Sequence, residues 1–106
     1  MSTEKTTILI VDDEEDTLEM FSTILEHECF TIWNAINGNK ALEQVKKSPD
    51  LILLDIRMPG LYGLDLCRQL KEDNRYKHIP IIFLSAKVLT HDIEFGLEAG
   101  AFILYD

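Results

Sequence analysis

The chain has 106 residues, 46% of them hydrophobic and 27% charged, and its nineteen acids against ten bases leave a net charge of -9 at pH 7. That length supports one hydrophobic core and excludes two, and no apolar stretch approaches the roughly 18 residues a membrane-crossing helix needs. The acidic balance repels a polyanion such as nucleic acid, since no local basic patch is visible to offset it. The polar start, MSTEKTT, has no apolar signal region behind it, and Cys29 and Cys67 have neither metal-ligand nor redox spacing. The expectation is a single cytoplasmic domain over residues 1–106, with no membrane contact and with two structural thiols.

Thr7 to Val11 (TILIV) is a short apolar, β-branched run that reads as a strand, and from Thr17 the residues Leu18, Phe21, Ile24 and Leu25 recur at helical spacing. FTIWNAI, 30–36, reads as a second strand broken by Asn37 and Gly38; Ala41, Leu42 and Val45 then mark the buried stripe of a second helix, which Pro49 closes. DLILLD, 50–55, gives the strongest strand pattern. After the Pro/Gly-rich loop MPGLYG, the segment LDLCRQLK, 64–71, resumes helical periodicity. IPIIFLS, 79–85, predicts a fourth strand, residues 90–99 a fourth helix around Ile93 and Leu97, and AFILY, 101–105, a fifth strand.

Strands that are nearly continuous apolar runs, separated by helices, imply a parallel sheet covered on both faces, a doubly wound α/β fold. Ligands of such a sheet bind outside the carboxyl ends of its strands, where the strand order reverses. The first strand ends in Asp12 and Asp13, the third in Asp55 and the fourth in Ser85, so three carboxylates and a hydroxyl would meet at one edge. Helix chemistry accounts for Glu14, Glu15 and Asp16, because acids in a first turn favour the positive end of the helix dipole. It gives no motive for Asp55, which is followed by a loop. If Asp12, Asp13 and Asp55 converge, their mutual repulsion raises their pKa values unless a cation neutralises them. Few carboxylates and an open geometry suit Mg²⁺; the alternative is a solvated acidic rim.

ILIVDDEEDTLEMF, LILLDIRMPGLYGLDLCRQL, IPIIFLSA and GLEAGA together resemble the receiver domain of two-component response regulators, from about Thr7 to Asp106. The resemblance implies a five-stranded parallel sheet of flavodoxin-like order 2-1-3-4-5. It makes Asp55 the phosphoacceptor, an aspartate nucleophile toward a phosphoryl donor. It gives Mg²⁺ to Asp12 and Asp13, with Asp55 and the backbone carbonyl of Arg57 completing the protein ligands, and it has the Ser85 hydroxyl donate to a phosphoryl oxygen. It shapes the loop beyond the acceptor with Pro59, Gly60 and Gly63. The implied partner is a histidine kinase or phosphotransfer protein, and the domain is a phosphoacceptor that assists its own phosphorylation and dephosphorylation and does not turn over external substrate.

Two departures from the family pattern stand out. Receivers carry a lysine at the end of strand five, followed by a fifth helix, whereas this chain stops at Asp106, one residue short of that position. The expectation is therefore a fold truncated before its fifth helix, which uncovers apolar strand faces and leads to self-association. Lys87, two residues after Ser85, reads with Arg57 as exposed surface charge, with control of water access to the phosphate as the alternative. The aromatic expected three residues before the lysine falls on Leu104, beside Tyr105, which puts aromatic rotamer switching by the familiar route in doubt. A haloacid dehalogenase type of phosphatase would need an acid two positions after Asp55, where Arg57 stands. A flavodoxin-type flavin carrier would need a hydroxyl- and glycine-rich loop where DDEED stands. The remaining alternative is a non-phosphorylated receiver-like interaction module.

Overall fold

The computed structural model describes residues 6–55, 63–85 and 102–105, with the backbone alone for 63, 64, 84, 85 and 102–105. The order of elements is β1 (Thr7–Val11), α1 (Glu15–His27), β2 (Thr31–Ala35), α2 (Gly38–Val45), β3 (Leu51–Asp55), α3 (Gly63–Glu72), β4 (Ile81–Ser85) and β5 (Phe102–Tyr105). The strands form one parallel sheet of order β2-β1-β3-β4-β5. The strand and helix assignments made from the sequence agree to within about two residues at most ends, as expected where boundaries are the least legible feature. The helix expected over 90–99, with Ile93 and Leu97, lies outside the described residues.

The period-2 alternation of strand side chains sorts the apolar runs onto two faces. On one face Leu9, Val11, Ile52, Leu54, Ile81 and Phe83 are buried with Ala41 and Val45 of α2 and Leu66, Cys67 and Leu70 of α3. On the other, Ile8, Ile10 and Leu53 pack against Leu18 of α1, with Phe21 and Leu25 half-buried beside them. Every residue of β1 from Ile8 to Val11 is thus buried, because helices lie over both sides of it. Ile24 departs from the stripe in which the sequence places it, being 54% exposed. At about 100° per residue it sits a quarter-turn and more beyond Leu25 and overshoots the sheet.

Short-range chemistry fixes where the elements stop. Asn37, a strand breaker by sequence, is the N-cap of α2, its side chain accepting the Lys40 N–H at 2.8 Å. α1 ends with the Phe30 N–H donating to the Leu25 carbonyl at 3.1 Å, around Cys29 at φ 69°. That left-handed position usually belongs to glycine, and Cys29 there is exposed while Cys67 is buried; the structural role expected of both thiols extends only to Cys67. β3 is set beside β1 by the Asp50 N–H donating to the Thr7 carbonyl at 2.9 Å and by the Thr7 N–H donating to Asp50 Oδ2 at 2.8 Å. Among the described residues no helix is long and apolar enough to cross a membrane.

This packing predicts a sharp contrast between two substitutions. Leu54→Ala, at a fully buried position in the central strand, should lower unfolding stability by about 2–5 kcal/mol. Met20→Ala, at a site 51% exposed on α1, should change it by about 0.5 kcal/mol or less. Urea unfolding followed by circular dichroism measures both.

Candidate acidic site at the strand ends

β1 and β3 are neighbours in the sheet, and the chain leaves them in opposite directions, β1 toward β2 and β3 toward β4. This is the switch point at which the crossovers of a doubly wound sheet part and leave a crevice. Asp12 and Asp13 follow the last residue of β1, and Asp55 is the last residue of β3. The structure brings the three together: one carboxylate oxygen from each lies within 4.8 Å of the others. Asp12 is buried, Asp55 half-buried and Asp13 exposed.

The local backbone explains why Asp12 is held inside. Its N–H donates to the Ala35 carbonyl at 3.0 Å, carrying the β1–β2 ladder one residue past the strand. Its Oδ1 accepts the Glu14 N–H at 2.9 Å, an Asx turn that bends the chain out of the sheet into α1. Glu14, the N-cap residue by position, makes no side-chain cap of its own. Glu15 and Asp16 lie in the first turn, where the helix dipole favours them. The run of five acids therefore divides by place: Asp12 and Asp13 belong to the crevice, and the remainder to the helix start.

Burial is the main reason that the Asp12 pKa is pushed up to about 6, with the charges of Asp55, Asp13 and Glu14 adding to the rise and the hydrogen bond from the Glu14 N–H working against it. A carboxylate disfavoured by burial and by neighbouring carboxylates is a site that gains from a cation. Among the described residues the donor set is oxygen only, without imidazole or thiolate, which is the kind that suits a hard divalent ion. The other expected site residues are placed less fully. Ser85 ends β4, next to Leu84, which is the register partner of Asp55. Gly63 opens α3, and Leu104 and Tyr105 lie in β5. Arg57, Pro59, Gly60 and Lys87 fall outside the described residues. The difference between the neighbours Asp12 and Asp13 had no signal in the sequence beyond strand parity, by which position 12 continues the buried Ile8–Ile10 side.

A parallel α/β sheet of this order, with its carboxylates gathered at the switch point, defines the flavodoxin-like class, whose ligands bind in that crevice. The model of the response regulator receiver domain family matches residues 8–104, and the chain belongs to that family, the receiver domains of two-component signalling. It is 41% identical over 102 residues to the DNA-binding response regulator MtrA of Mycolicibacterium smegmatis, an alignment covering 95% of this chain and 43% of MtrA. The chain thus spans less than half the length of that relative. Among solved structures, chemotaxis protein CheY4 of Vibrio cholerae superposes with a TM-score of 0.89 at 25% identity, covering 97% of this chain and 86% of CheY4. The signal receiver domain of a signal transduction histidine kinase from Syntrophus aciditrophicus does so with a TM-score of 0.85 at 33% identity, covering 95% and 78%.

The buried carboxyl sets a pH dependence whose sign can be stated. The folded Asp12 titrates at about 6 against an ordinary value of 3.8, so between these values the folded state holds a proton that the unfolded state has released. Stability from this group therefore falls as pH rises through the window. Asp12→Asn keeps an Oδ1 for the Glu14 N–H and removes the charge. Without added metal at pH 8 it should raise stability by about 1–3 kcal/mol, seen as a higher urea midpoint, and the difference should close as pH falls toward 4. A lower midpoint for the variant at pH 8 would contradict the electrostatic reading of the site.

Proposed function

We propose that the domain accepts a phosphoryl group on Asp55 from a histidine kinase or phosphotransfer protein in the cytoplasm, and that the phosphorylated form presents an altered partner-binding surface. The observation that carries this reading is the meeting of Asp12, Asp13 and Asp55 at the switch point, in a chain of the receiver family. Asp55 supplies the nucleophile. One of its carboxylate oxygens attacks phosphorus, the bond from phosphorus to the donor nitrogen breaks, the leaving imidazole keeps the electron pair, and an acyl phosphate remains on Asp55.

Asp12 and Asp13, with Asp55 and the backbone carbonyl of Arg57, are the residues that would hold Mg²⁺. When bound, the ion offsets negative charge on the phosphoryl oxygens. Asp12 is fixed for this task by its two backbone contacts, to Ala35 and Glu14, so its carboxylate does not have to be ordered when ligand arrives. Ser85 is assigned the hydroxyl donor to a phosphoryl oxygen, which would couple the state of the site to the segment following β4. The retained carboxylate triple is what separates this reading from a receiver-like interaction module that takes no phosphate.

Incubation with Mg²⁺ and acetyl phosphate or phosphoramidate should add one phosphoryl group by intact mass, and Asp55→Asn should abolish the addition. Full labelling of Asp55→Asn would overturn the assignment. Millimolar Mg²⁺ should also raise the thermal midpoint of the wild-type domain, because a ligand of the folded state stabilises by mass action. The same addition should leave Asp13→Ala nearly unmoved.

A further inference from the structure

Charge along this chain is distributed unevenly. Between residues 6 and 39 there is no lysine or arginine, while eight of the nineteen acids lie there: Asp12, Asp13, Glu14, Glu15, Asp16, Glu19, Glu26 and Glu28. The crevice and the start of α1 account for the first five. Glu19 and Glu26 need another reason, because helix physics does not favour them. Glu19 follows Glu15 at i,i+4, a like-charge pair that weakens a helix. Glu26 stands in the last turn, at the negative end of the dipole. Local rules broken without a compensating local gain are a mark of a functional surface.

These acids border a groove of about 390 Å³ between α1 and the edge strand β2. Glu15, Glu19 and Glu26 follow one side of α1, spanning roughly 16 Å at 1.5 Å per residue. Leu18 and Ile36 give the groove an apolar floor and far wall. Ile36 is 45% exposed, one of only three large hydrophobic residues that open among the described side chains. At its base the Ser22 hydroxyl, on a residue 9% exposed, donates to Asn34 Oδ1 at 3.0 Å and ties α1 to β2 across the groove. β2 itself pairs with β1 and, among the described residues, with no other strand.

We propose that the α1–β2 groove docks a cationic peptide segment of a partner protein, with lysine or arginine side chains meeting Glu15, Glu19 and Glu26 and an aliphatic side chain covering Ile36. Charge complementarity selects this occupant. A second copy of the chain would bring like charge to the same face, and an acidic segment would be repelled, while a cationic one relieves the Glu15–Glu19 repulsion as it binds. The apolar wall adds what charge alone does not, a preference for amphipathic over merely basic sequence. The inference does not depend on phosphorylation of Asp55.

The probe is a fluorescein-labelled peptide, Arg-Leu-Arg-Arg-Leu-Arg, followed by fluorescence anisotropy with millimolar Mg²⁺ present to occupy the strand-end carboxylates. The triple variant Glu15→Gln, Glu19→Gln, Glu26→Gln should weaken binding about tenfold or more, whereas Glu43→Gln, Asp65→Asn, Glu72→Gln, which removes as much charge from α2 and α3, should change it by about twofold at most. Ile36→Ser should weaken the leucine-bearing peptide more than hexa-arginine. All these side chains are on the surface, and cooperative thermal unfolding at midpoints no lower than that of the wild type would show that each variant folds. Equal loss in the two triple variants would show attraction to bulk negative charge only and would overturn the proposal, as would the absence of binding at low salt or equal loss of both peptides in Ile36→Ser.

Discussion

Because β1 and β3 are buried on both faces, the chain can place charge only where those strands end. Ile8 to Val11 and Ile52 to Leu54 leave no polar side chain between the layers. The acids that follow, Asp12 with Asp13 and then Asp55, come together because the two strands are adjacent, parallel and in register. The same burial that excludes charge from the strands raises its cost immediately beyond them, as the raised pKa of Asp12 records. Asp12 is retained there because it performs two local tasks, ending the β1–β2 ladder through its N–H and starting α1 through its carboxylate. A residue fixed by backbone contacts and destabilised as an anion is one whose electrostatic cost a bound divalent cation would offset.

How much of this could be read from the sequence follows from what sequence patterns encode. The runs TILIV, LILLD and IPIIFLS are apolar at successive positions, which is the signature of strands covered on both faces, and the structure has them as the three central strands. The convergence of Asp12, Asp13 and Asp55 was legible once a parallel sheet was inferred, because the rule about strand ends is geometric. The strand order came from family resemblance, since hydrophobic periodicity does not say which strand lies beside which. The rest depended on tertiary context: Ile24 fits the helical spacing but lies past the edge of the sheet, and Cys29 accepts a left-handed backbone that its residue type does not announce. Asn37 was readable as a break, yet its capping of α2 required knowing that a helix begins at Gly38.

The acidic character of the amino-terminal third has two separate physical origins. Near the crevice it arises from the site, and along the far side of α1 it runs against helix electrostatics without contributing to the core. These differ in depth as well as in place. Asp12 is buried and its charge matters through desolvation, whereas Glu19 and Glu26 are exposed, where screening by salt reduces their effect on stability and leaves them available to a partner. The domain thus separates a partly buried carboxylate cluster at the strand ends from an exposed acidic surface along α1.

The most direct measurement of the coupling between burial, charge and cation is a carbon-13 NMR titration of the aspartate carboxyl groups with and without Mg²⁺. Without the ion, the Asp12 carboxyl should titrate near 6. Millimolar Mg²⁺ should move that midpoint down and shift the Asp13 and Asp55 resonances at the same time. An Asp12 carboxyl that titrates at the ordinary carboxylate value and is indifferent to Mg²⁺ would contradict it.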